Sequence, residues 1–403
     1  MSNVPSPRPL DGIKVLEVGQ LLAGPFVGCL LGYYGAEVIK VEPPGAGDPI
    51  RLWRELDETG TSYWWRSLAR NKKCVTADLR EPRGRELVRS MSARCDVFVE
   101  NFRPGVMEKW DLGPEQLQKD NPGLIYARIS GYGQDGPWSS KPGFASVCEG
   151  VGGFRYVNGK PGEAPMRHNL SLGDTMAGMQ AALGIVMACL HRERSPDGRG
   201  QVIDMALYEA VFNLLEAVVP EFDGAGVIRE PSGSTVTGIV PTNTYPCRDG
   251  KFVVIGANGD SLFKRLCETM GRPDMAADDR YASNANRVEH EKAIDARISE
   301  WTASLPSTEV LALLEAARVP SGPILNVADM MQHEHFIARG LFEEVDVNGK
   351  PLKIPAIVPK LSETPGRTDW PGADVGAFND EIYRQWMGLS ADELTDLQSK
   401  GII

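Results

Sequence analysis

The chain has 403 residues, of which 42% are hydrophobic and 24% charged. This composition is typical of a folded protein of two or three domains and excludes a disordered chain or a coiled coil. The 54 acidic and 43 basic residues leave a formal net charge of −11, which makes duplex DNA and acidic membranes poor partners. A small anionic ligand is compatible with this charge, because a local basic pocket can oppose it.

The seven cysteines are scattered and never spaced C-x-x-C, which argues against a disulfide framework or a zinc ribbon. The opening residues, MSNVPSPRPLDG, lack the apolar segment of a signal peptide. The longest uncharged run, residues 18–36, is too short and too interrupted by glycine and proline for a membrane span. We therefore predict a cytoplasmic protein that binds neither nucleic acid nor membrane.

Strands and helices are predicted to alternate along the first 130 residues. A β-branched strand at Ile13–Val18 precedes a helix from Pro25 to Tyr34 and a strand at Glu37–Val41. The next elements are a strand at Val75–Leu79, a helix through Glu86–Ser92, a strand at Asp96–Glu100, short helices around Gly105–Leu112 and Pro114–Lys119, and a strand at Leu124–Ser130. This alternation predicts an α/β fold with a parallel, doubly wound sheet.

Changes in composition divide the rest of the chain. Residues 171–219 are helix-rich around one strand, Gln201–Met205, and residues 230–244 are rich in Gly, Ser, Thr and Pro, as expected of a boundary. A strand at Lys251–Ile255, mostly helical residues over 259–318 and a final helix at Ala391–Gln398 follow. We predict a large domain over 1–224, a smaller α+β domain over 225–330, and a return to the large domain over 331–403.

Familiar catalytic motifs are missing. The turn after the first strand, VGQLLAGP, lacks the G-x-G-x-x-G of a dinucleotide site, and no Walker A, G-x-S-x-G or H-E-x-x-H motif occurs. His333 and His335 have no further His or Cys nearby, so we interpret them as solvated helix-end residues and predict no metal site.

A basic run and an aspartate before a long helix can each be interpreted as a functional or as a structural feature. The run Arg66–Lys73 carries four positive charges and no acid, and five of the eight Trp residues lie in the same part of the chain. This is the composition of a nucleotide site or of a solvated basic face. Asp174 precedes a long apolar helix, where it is either an N-cap or a carboxylate held beside the N–H groups of the helix start.

Several long motifs, in order, resemble the class III CoA-transferases, a family that includes formyl-CoA and carnitine CoA-transferases as well as acyl-CoA racemases. They are PLDGIKVLEVGQLLAGPFVGCLLGYYGAEVIKVEPPGAGDPIR, LARNKKCVTADL, DVFVENFRPGVMEKWDLG, YARISGYGQDGPW, SLGDTMAGMQAALGI and GRGQVIDMALYEA. The resemblance extends nearly from end to end, through MGLSADELTDLQSKGII.

The resemblance implies a large domain built on a Rossmann-like sheet assembled from both ends of the chain, a smaller middle domain and an interlocked homodimer. The apolar stretch Leu207–Val219 agrees with a dimer. Acyl-CoA and a small carboxylate are implied as substrates, with CoA at the strand ends of the large domain and no permanently bound cofactor.

The family's nucleophile is the Asp of the G-D before the long helix, which is Asp174 here. The turn Gly173–Thr175 is expected to offer N–H donors to an oxyanion. The segment Ser232–Gly238, which has only two glycines, is the weak counterpart of the family's glycine-rich cover. By position, the implied CoA contacts are Gln20, Arg51, Asn71, Lys72, Asn101, Phe102, Lys109 and Lys141.

We therefore predict an enzyme that moves CoA from an acyl-CoA to a small carboxylic acid through an aspartyl anhydride and an aspartyl-CoA thioester. The alternatives are an α-methylacyl-CoA racemase and a CoA-binding protein without catalysis. Racemases of this family present a G-H-D segment, whereas the corresponding stretch here, Gly143–Gly150, has neither His nor Asp, which disfavours the acid/base pair that racemization needs. The intact Asp174 disfavours a non-catalytic protein.

Arg167 and His168 lie seven and six residues before Asp174. We predict that these two side chains bind the acceptor acid. A guanidinium can hold the second carboxylate of a short dicarboxylate of the succinate, malate, itaconate or glutarate type through two parallel hydrogen bonds. Alternatively, Arg167 is a surface residue or pairs with a structural acid.

Overall fold

The computed structural model describes residues 6–403, which form two compact units. The large unit contains residues 6–154, 168–216 and 337–403, and the small unit contains 155–167 and 217–336. Residues 155–167, which are predicted to lie in the large domain, belong to the small unit in the structure.

Six parallel strands form the central sheet of the large unit. They are β1 (Lys14–Glu17), β2 (Glu37–Glu42), β3 (Lys72–Thr76), β4 (Val97–Glu100), β5 (Ile125–Ser130) and β6 (Val202–Ala206). Their order, β3-β2-β1-β4-β5-β6, confirms the predicted doubly wound sheet. In such a sheet the chain changes direction between β1 and β4, and ligands bind in the crevice beyond the strand ends there.

Two expectations about this sheet are wrong. All six strands come from residues 14–206, so the sheet is not assembled from both ends of the chain. Strand β3 begins at Lys72 rather than at Val75, because Lys72 and Lys73 pair in register with Val38 and Ile39 of β2. Two adjacent lysines hide this strand from a hydrophobic pattern.

Helices cover both faces of the sheet. They are α1 (Ala23–Tyr33), α2 (Tyr63–Leu68), α3 (Pro82–Ser92), α4 (Val106–Lys109), α5 (Pro114–Asp120), α6 (Ala145–Val151), α7 (Leu172–Arg194) and α8 (Leu207–Phe212). Residues of α1, α6 and α7 pack on one face and residues of α3 on the other. Helix α7 is long and apolar enough to cross a membrane, but part of it, including Ala177, Ala181 and Ile185, is buried in the core, as in the core helix of a globular domain.

The small unit contains a three-stranded antiparallel sheet, β7 (Thr242–Pro246), β8 (Phe252–Gly256) and β9 (Ser321–Pro323). Its helices are α9 (Val218–Ala225), α10 (Asp260–Thr269), α11 (Pro273–Ala276), α12 (Asn284–Glu289), α13 (Glu291–Ala303), α14 (Ser307–Ala316) and α15 (Val327–Gln332). The apolar stretch Leu207–Val219 is therefore not one helix, because α8 ends at Phe212 and α9 begins at Val218.

The last segment returns the chain to the large unit through α16 (Glu334–Ala338). An antiparallel hairpin, β10 (Phe342–Val347) and β11 (Lys350–Pro355), and the final helix α17 (Ala391–Ser399) follow. Leu394 and Leu397 of α17 enter the core on the α3 face of the sheet. The C-terminal segment thus covers the sheet without adding a strand to it.

A buried charge network lies between the sheet and α1. Glu17, Lys40, Asp48 and Lys72 have 0% exposure. Lys40 Nζ lies 3.2 Å from Glu17 and 2.9 Å from Asp48, and Lys72 Nζ lies 2.9 Å from Glu17. Burial lowers the pKa of Lys40, but the carboxylates of Asp48, Glu17 and Glu42 outweigh burial and hold it above its ordinary value. Gly28 lets α1 pass over these charges, since a Cβ there would lie 1.9 Å from Glu17 Oε2.

We predict that Lys72→Met lowers the free energy of unfolding by about 3–5 kcal/mol, because it removes one partner of a buried ion pair. The exposed pair between Lys119 and Glu115, 3.2 Å apart, offers a matched control, and Lys119→Met should change stability by less than about 0.5 kcal/mol. Urea unfolding of both variants measures this difference. An equal, small effect at the two positions would contradict a structural role for Lys72.

Candidate active site

The turn after β1 and the turn after β4 meet at the switch point of the sheet. The side chain of Asn101 accepts a hydrogen bond from the backbone N–H of Gln20 and donates one to the carbonyl of Gln20, both at 2.8 Å. Gly19 permits this contact, since a Cβ there would lie 2.7 Å from Asn101 Oδ1. Asn101 therefore fixes the backbone beneath Gln20, and these two predicted CoA contacts lie together at the place where doubly wound sheets bind ligands.

The turn that carries Gln20 is strained and firmly held. Leu21 has φ of 64°, a left-handed conformation that is uncommon for a residue with a side chain. Its N–H donates to both carboxylate oxygens of Asp48, at 3.0 and 3.1 Å, and Lys40 donates to the carbonyl of Gly19. The buried charges beneath α1 thus shape the turn directly.

Phe102 directly follows Asn101 in the turn after β4, and Lys109 lies further along the chain in α4. The N–H of Phe102 donates to Glu100 at 2.7 Å, and its ring meets Trp110 edge-on at 5.5 Å. Lys109, at the end of α4, is exposed. Burial raises the pKa of Glu100 to about 7, against the opposing effect of Arg128, whose Nε lies 3.1 Å from it.

Three other predicted CoA contacts have their polar atoms bonded inside the large unit. Arg51 forms two 2.7 Å hydrogen bonds with Glu42 and stacks over Trp65 at 3.7 Å. Asn71 bonds to the backbone of Gly32, Arg367 and Asp369. Lys72 bonds to Glu17 and to the carbonyl of Pro25. All three side chains serve the fold in this structure, and a part in CoA binding stays a prediction for them.

Asp174 lies in the first turn of α7 and is partly exposed. The N-cap prediction for Asp174 is wrong, because the helix begins at Leu172 and Ser171 occupies the N-cap. Asp174 is the third helical residue. An acidic group in this position is stabilised by the positive end of the helix dipole.

Helix α6 packs against the start of α7 and brings further side chains to Asp174. The buried carboxylate of Glu149 accepts the N–H of Gly173 at 3.2 Å. Cys148 donates to the carbonyl of Gly131 at 3.3 Å. Burial and then the negative charge of Asp174 raise the pKa of Cys148 to about 11, so this thiol stays protonated at neutral pH.

The expected oxyanion donors are largely occupied. The N–H of Gly173 is bonded to Glu149, and the N–H of Thr175 is bonded to the carbonyl of Ser171 at 3.1 Å. The expectation that the Gly173–Thr175 turn offers these two N–H groups to an oxyanion is therefore wrong for this conformation.

The stretch Gly143–Gly150, which has neither His nor Asp, begins with small and apolar residues. Phe144 is 69% exposed, and Ala145 is buried with its Cβ 3.2 Å from the point where a Cβ on Gly173 would lie. Gly143 runs close to Gly131, where a Cβ would approach Gly143 Cα to 3.0 Å. No acid/base pair stands at these positions.

The remaining predicted residues lie in separate places. Lys141 is exposed, with its Nζ 3.6 Å from the ring centre of Trp138. Arg167 ends the first segment of the small unit, whereas His168 begins the next segment of the large unit, with its ring 5.9 Å from that of Phe154. The segment Ser232–Gly238 belongs to the small unit. Among residues 6–403, no group of three or more His, Cys, Asp or Glu is arranged to hold a metal ion.

Two side chains at the site were missed by the sequence analysis. Glu149 lies 25 positions before Asp174 in a short helix, and Asp48 lies in a Gly- and Pro-rich turn after β2. Neither belongs to a motif that predicts its partner. Only the fold brings Glu149 to Gly173 and Asp48 to Leu21.

The fold and these residues define a Rossmann-like α/β protein with a carboxylate at the start of a core helix. The sequence profile of CoA-transferase family III matches residues 10–377, and the chain therefore belongs to that family of enzymes. The predicted family is confirmed.

Proteins of known name match nearly the whole chain. The chain is 45% identical over 404 residues to the succinyl-CoA–D-citramalate CoA-transferase of Chloroflexus aurantiacus, with all of both chains covered. It is 40% identical to the alpha subunit of the succinyl-CoA–L-malate CoA-transferase of the same organism, with 98% of this chain and 92% of that one covered. The crystal structure of a CAIB/BAIF family protein from Brucella suis superposes with a TM-score of 0.83 at 34% identity, covering 94% of this chain and 99% of that one.

Proposed function

We propose that the enzyme transfers CoA from succinyl-CoA to a short dicarboxylate, with Asp174 as the covalent nucleophile. The single observation that carries this proposal is the partly exposed carboxylate of Asp174 in the first turn of α7, in a chain of this family. The relatives that match over full length are named for succinyl-CoA and for citramalate or malate, which supports the dicarboxylate acceptor.

The reaction exchanges one thioester for another and needs no redox step. Asp174 attacks the thioester carbonyl of succinyl-CoA and expels CoA thiolate, which forms a mixed anhydride. The thiolate attacks the Asp174 carbonyl carbon, releases succinate and leaves an aspartyl-CoA thioester. The acceptor carboxylate then attacks this thioester, and the thiolate takes the acceptor's acyl group from the second anhydride, which restores Asp174. A carboxylate nucleophile of this kind forms a covalent acyl intermediate, which splits the exchange into two easier steps.

The CoA moiety is proposed to lie beyond the strand ends at the switch point, with Gln20, Asn101, Phe102 and Lys109 as its nearest contacts. Their shared position supports this, because Asn101 clamps Gln20 and Phe102 follows it directly. Lys109 and Lys141 supply exposed positive charge for phosphates in a chain whose net charge is −11. Arg51, Asn71 and Lys72 shape this surface from below.

We also propose a cytoplasmic homodimer, with interlocked chains as the family resemblance implies. All seven cysteines are buried and unpaired, as expected in a reducing compartment. In the single chain, α7 exposes an apolar stripe that includes Met179, Leu183 and Met187, each more than half exposed. Together with Phe26 and Leu30 of α1, residues of this helix line a cavity of about 1000 Å³ in the large unit, which a second copy would cover.

Asp174→Ala should bind succinyl-CoA about as tightly as the wild type but lose essentially all transfer, because the nucleophile acts only along the reaction path. Isothermal titration and an acyl-exchange assay measure the two properties. Hydroxylamine should inactivate the wild type only after it meets succinyl-CoA. Asp197→Ala, a change in the loop after α7, is the control. One tenth of wild-type turnover in Asp174→Ala would contradict the proposal.

Arg167→Ala should lower kcat/KM for dicarboxylate acceptors, raising the activation free energy by roughly 2–4 kcal/mol. It should leave kcat/KM for acetate and propionate nearly unchanged, because only a dicarboxylate loses a charge-assisted pair. Lys160→Ala, on the same segment and paired with Glu163 at 3.9 Å, is the matched control. Equal losses for mono- and dicarboxylates would assign Arg167 to the fold or to CoA binding instead.

Sedimentation of the wild type at neutral pH should give twice the chain mass at every concentration, with no monomer short of unfolding. Leu183→Glu, at a position 60% exposed in the single chain, should prevent assembly, because the dimer would bury the new charge. A monomer that appears on simple dilution of the wild type would contradict an interlocked dimer.

A further inference from the structure

A buried hydrogen bond joins the start of α7 to α6, in which Glu149 Oε1 accepts the N–H of Gly173 at 3.2 Å. We propose that Glu149 is the positioning residue of the nucleophile, holding the first turn of α7 so that Asp174 meets the thioester carbonyl in a reactive orientation. This inference rests on the proposed role of Asp174.

The bond lies next to the proposed nucleophile in the chain. Gly173 directly precedes Asp174, and its N–H belongs to the first turn, where helix N–H groups lack partners within the helix. Glu149 supplies that partner and is only 3% exposed. A shift of Glu149 therefore moves the backbone that carries the Asp174 carboxylate.

The packing around the bond leaves little freedom. A Cβ on Gly173 would lie 3.2 Å from the Cβ of Ala145 and 3.3 Å from the Cγ of Glu149, so α6 and the start of α7 are in close contact. Glycine at this position lets the two helices approach closely enough for the carboxylate to reach the N–H.

Helix α6 is in turn attached to the central sheet. Cys148, the neighbour of Glu149, donates to the carbonyl of Gly131, which directly follows β5. Gly131 and Gly143 have no side chains at the point where their backbones approach each other. A continuous path of contacts thus runs from the end of β5 through α6 to Asp174.

Glu149 does not act as a second nucleophile or base in this arrangement. A group that reacts with substrate needs an accessible oxygen, whereas Glu149 is buried and bonded to the backbone of α7. Its effect on catalysis is through geometry, because a displacement of about 1 Å of a reacting group can cost about a hundredfold in rate.

Two conservative variants separate the hydrogen bond from the charge. Glu149→Gln keeps an acceptor oxygen at the same reach, and we expect its kcat within about threefold of the wild type. Glu149→Asp keeps the charge but withdraws it by one methylene, and we expect kcat to fall about a hundredfold while KM for succinyl-CoA changes by less than about threefold. Steady-state kinetics of the two variants and the wild type measures these changes in kcat and KM. Equal thermal unfolding midpoints for both variants confirm that each is folded.

Gly173→Ala disturbs the other end of the same bond and should reproduce the signature of Glu149→Asp. The double variant should be no worse than either single one, because the two changes break one interaction. Normal kcat in Glu149→Asp, or equal losses in Glu149→Gln and Glu149→Asp, would overturn the inference. Substantial turnover in Asp174→Ala would instead overturn the proposed function, so the two failures are distinguishable.

Discussion

The large unit depends on burying four charged side chains, Glu17, Lys40, Asp48 and Lys72, between its sheet and α1. Burying such groups is tolerable only when each charge is paired, and here the acids and lysines alternate in space at about 3 Å. Asp48 also accepts the N–H of Leu21, so the network extends into the turn that carries Gln20. The geometry of the proposed CoA site is therefore set from inside the fold.

The order and type of the strands could be predicted from the sequence, but the pairing of the charged side chains could not. Strands β1, β2, β4 and β5 are apolar and bounded by turn residues, so periodicity locates them to within a residue or two. Arg51, Asn71 and Lys72 look like a phosphate site in the sequence, yet Arg51 pairs with Glu42 at the end of β2 and Lys72 with Glu17, 55 residues earlier in the chain. A pattern of like charges gives no information about partners that only the fold supplies.

The same limit applies to Asp174. Its place near a helix start and its match to a family motif identify it as a functional carboxylate, but the N-cap interpretation fails because the helix begins two residues earlier, at Leu172. The N–H of Gly173 in this first turn is satisfied by Glu149 from another helix. Long-range hydrogen bonds of this kind leave no trace in local periodicity, and they decide how a reactive side chain is presented.

The covalent role of Asp174 can be tested directly by isotope transfer. When succinyl-CoA exchanges with succinate labelled with ¹⁸O in its carboxylates, the proposed anhydride returns one labelled oxygen to the Asp174 carboxylate in each cycle. Trypsin releases residues 168–192 as one peptide, in which Asp174 is the only acidic side chain. Mass spectrometry should show this peptide about 2 Da heavier after a single turnover and approaching about 4 Da heavier after many, as both carboxylate oxygens are replaced. Turnover that labels succinyl-CoA but leaves the peptide at its original mass would contradict the account.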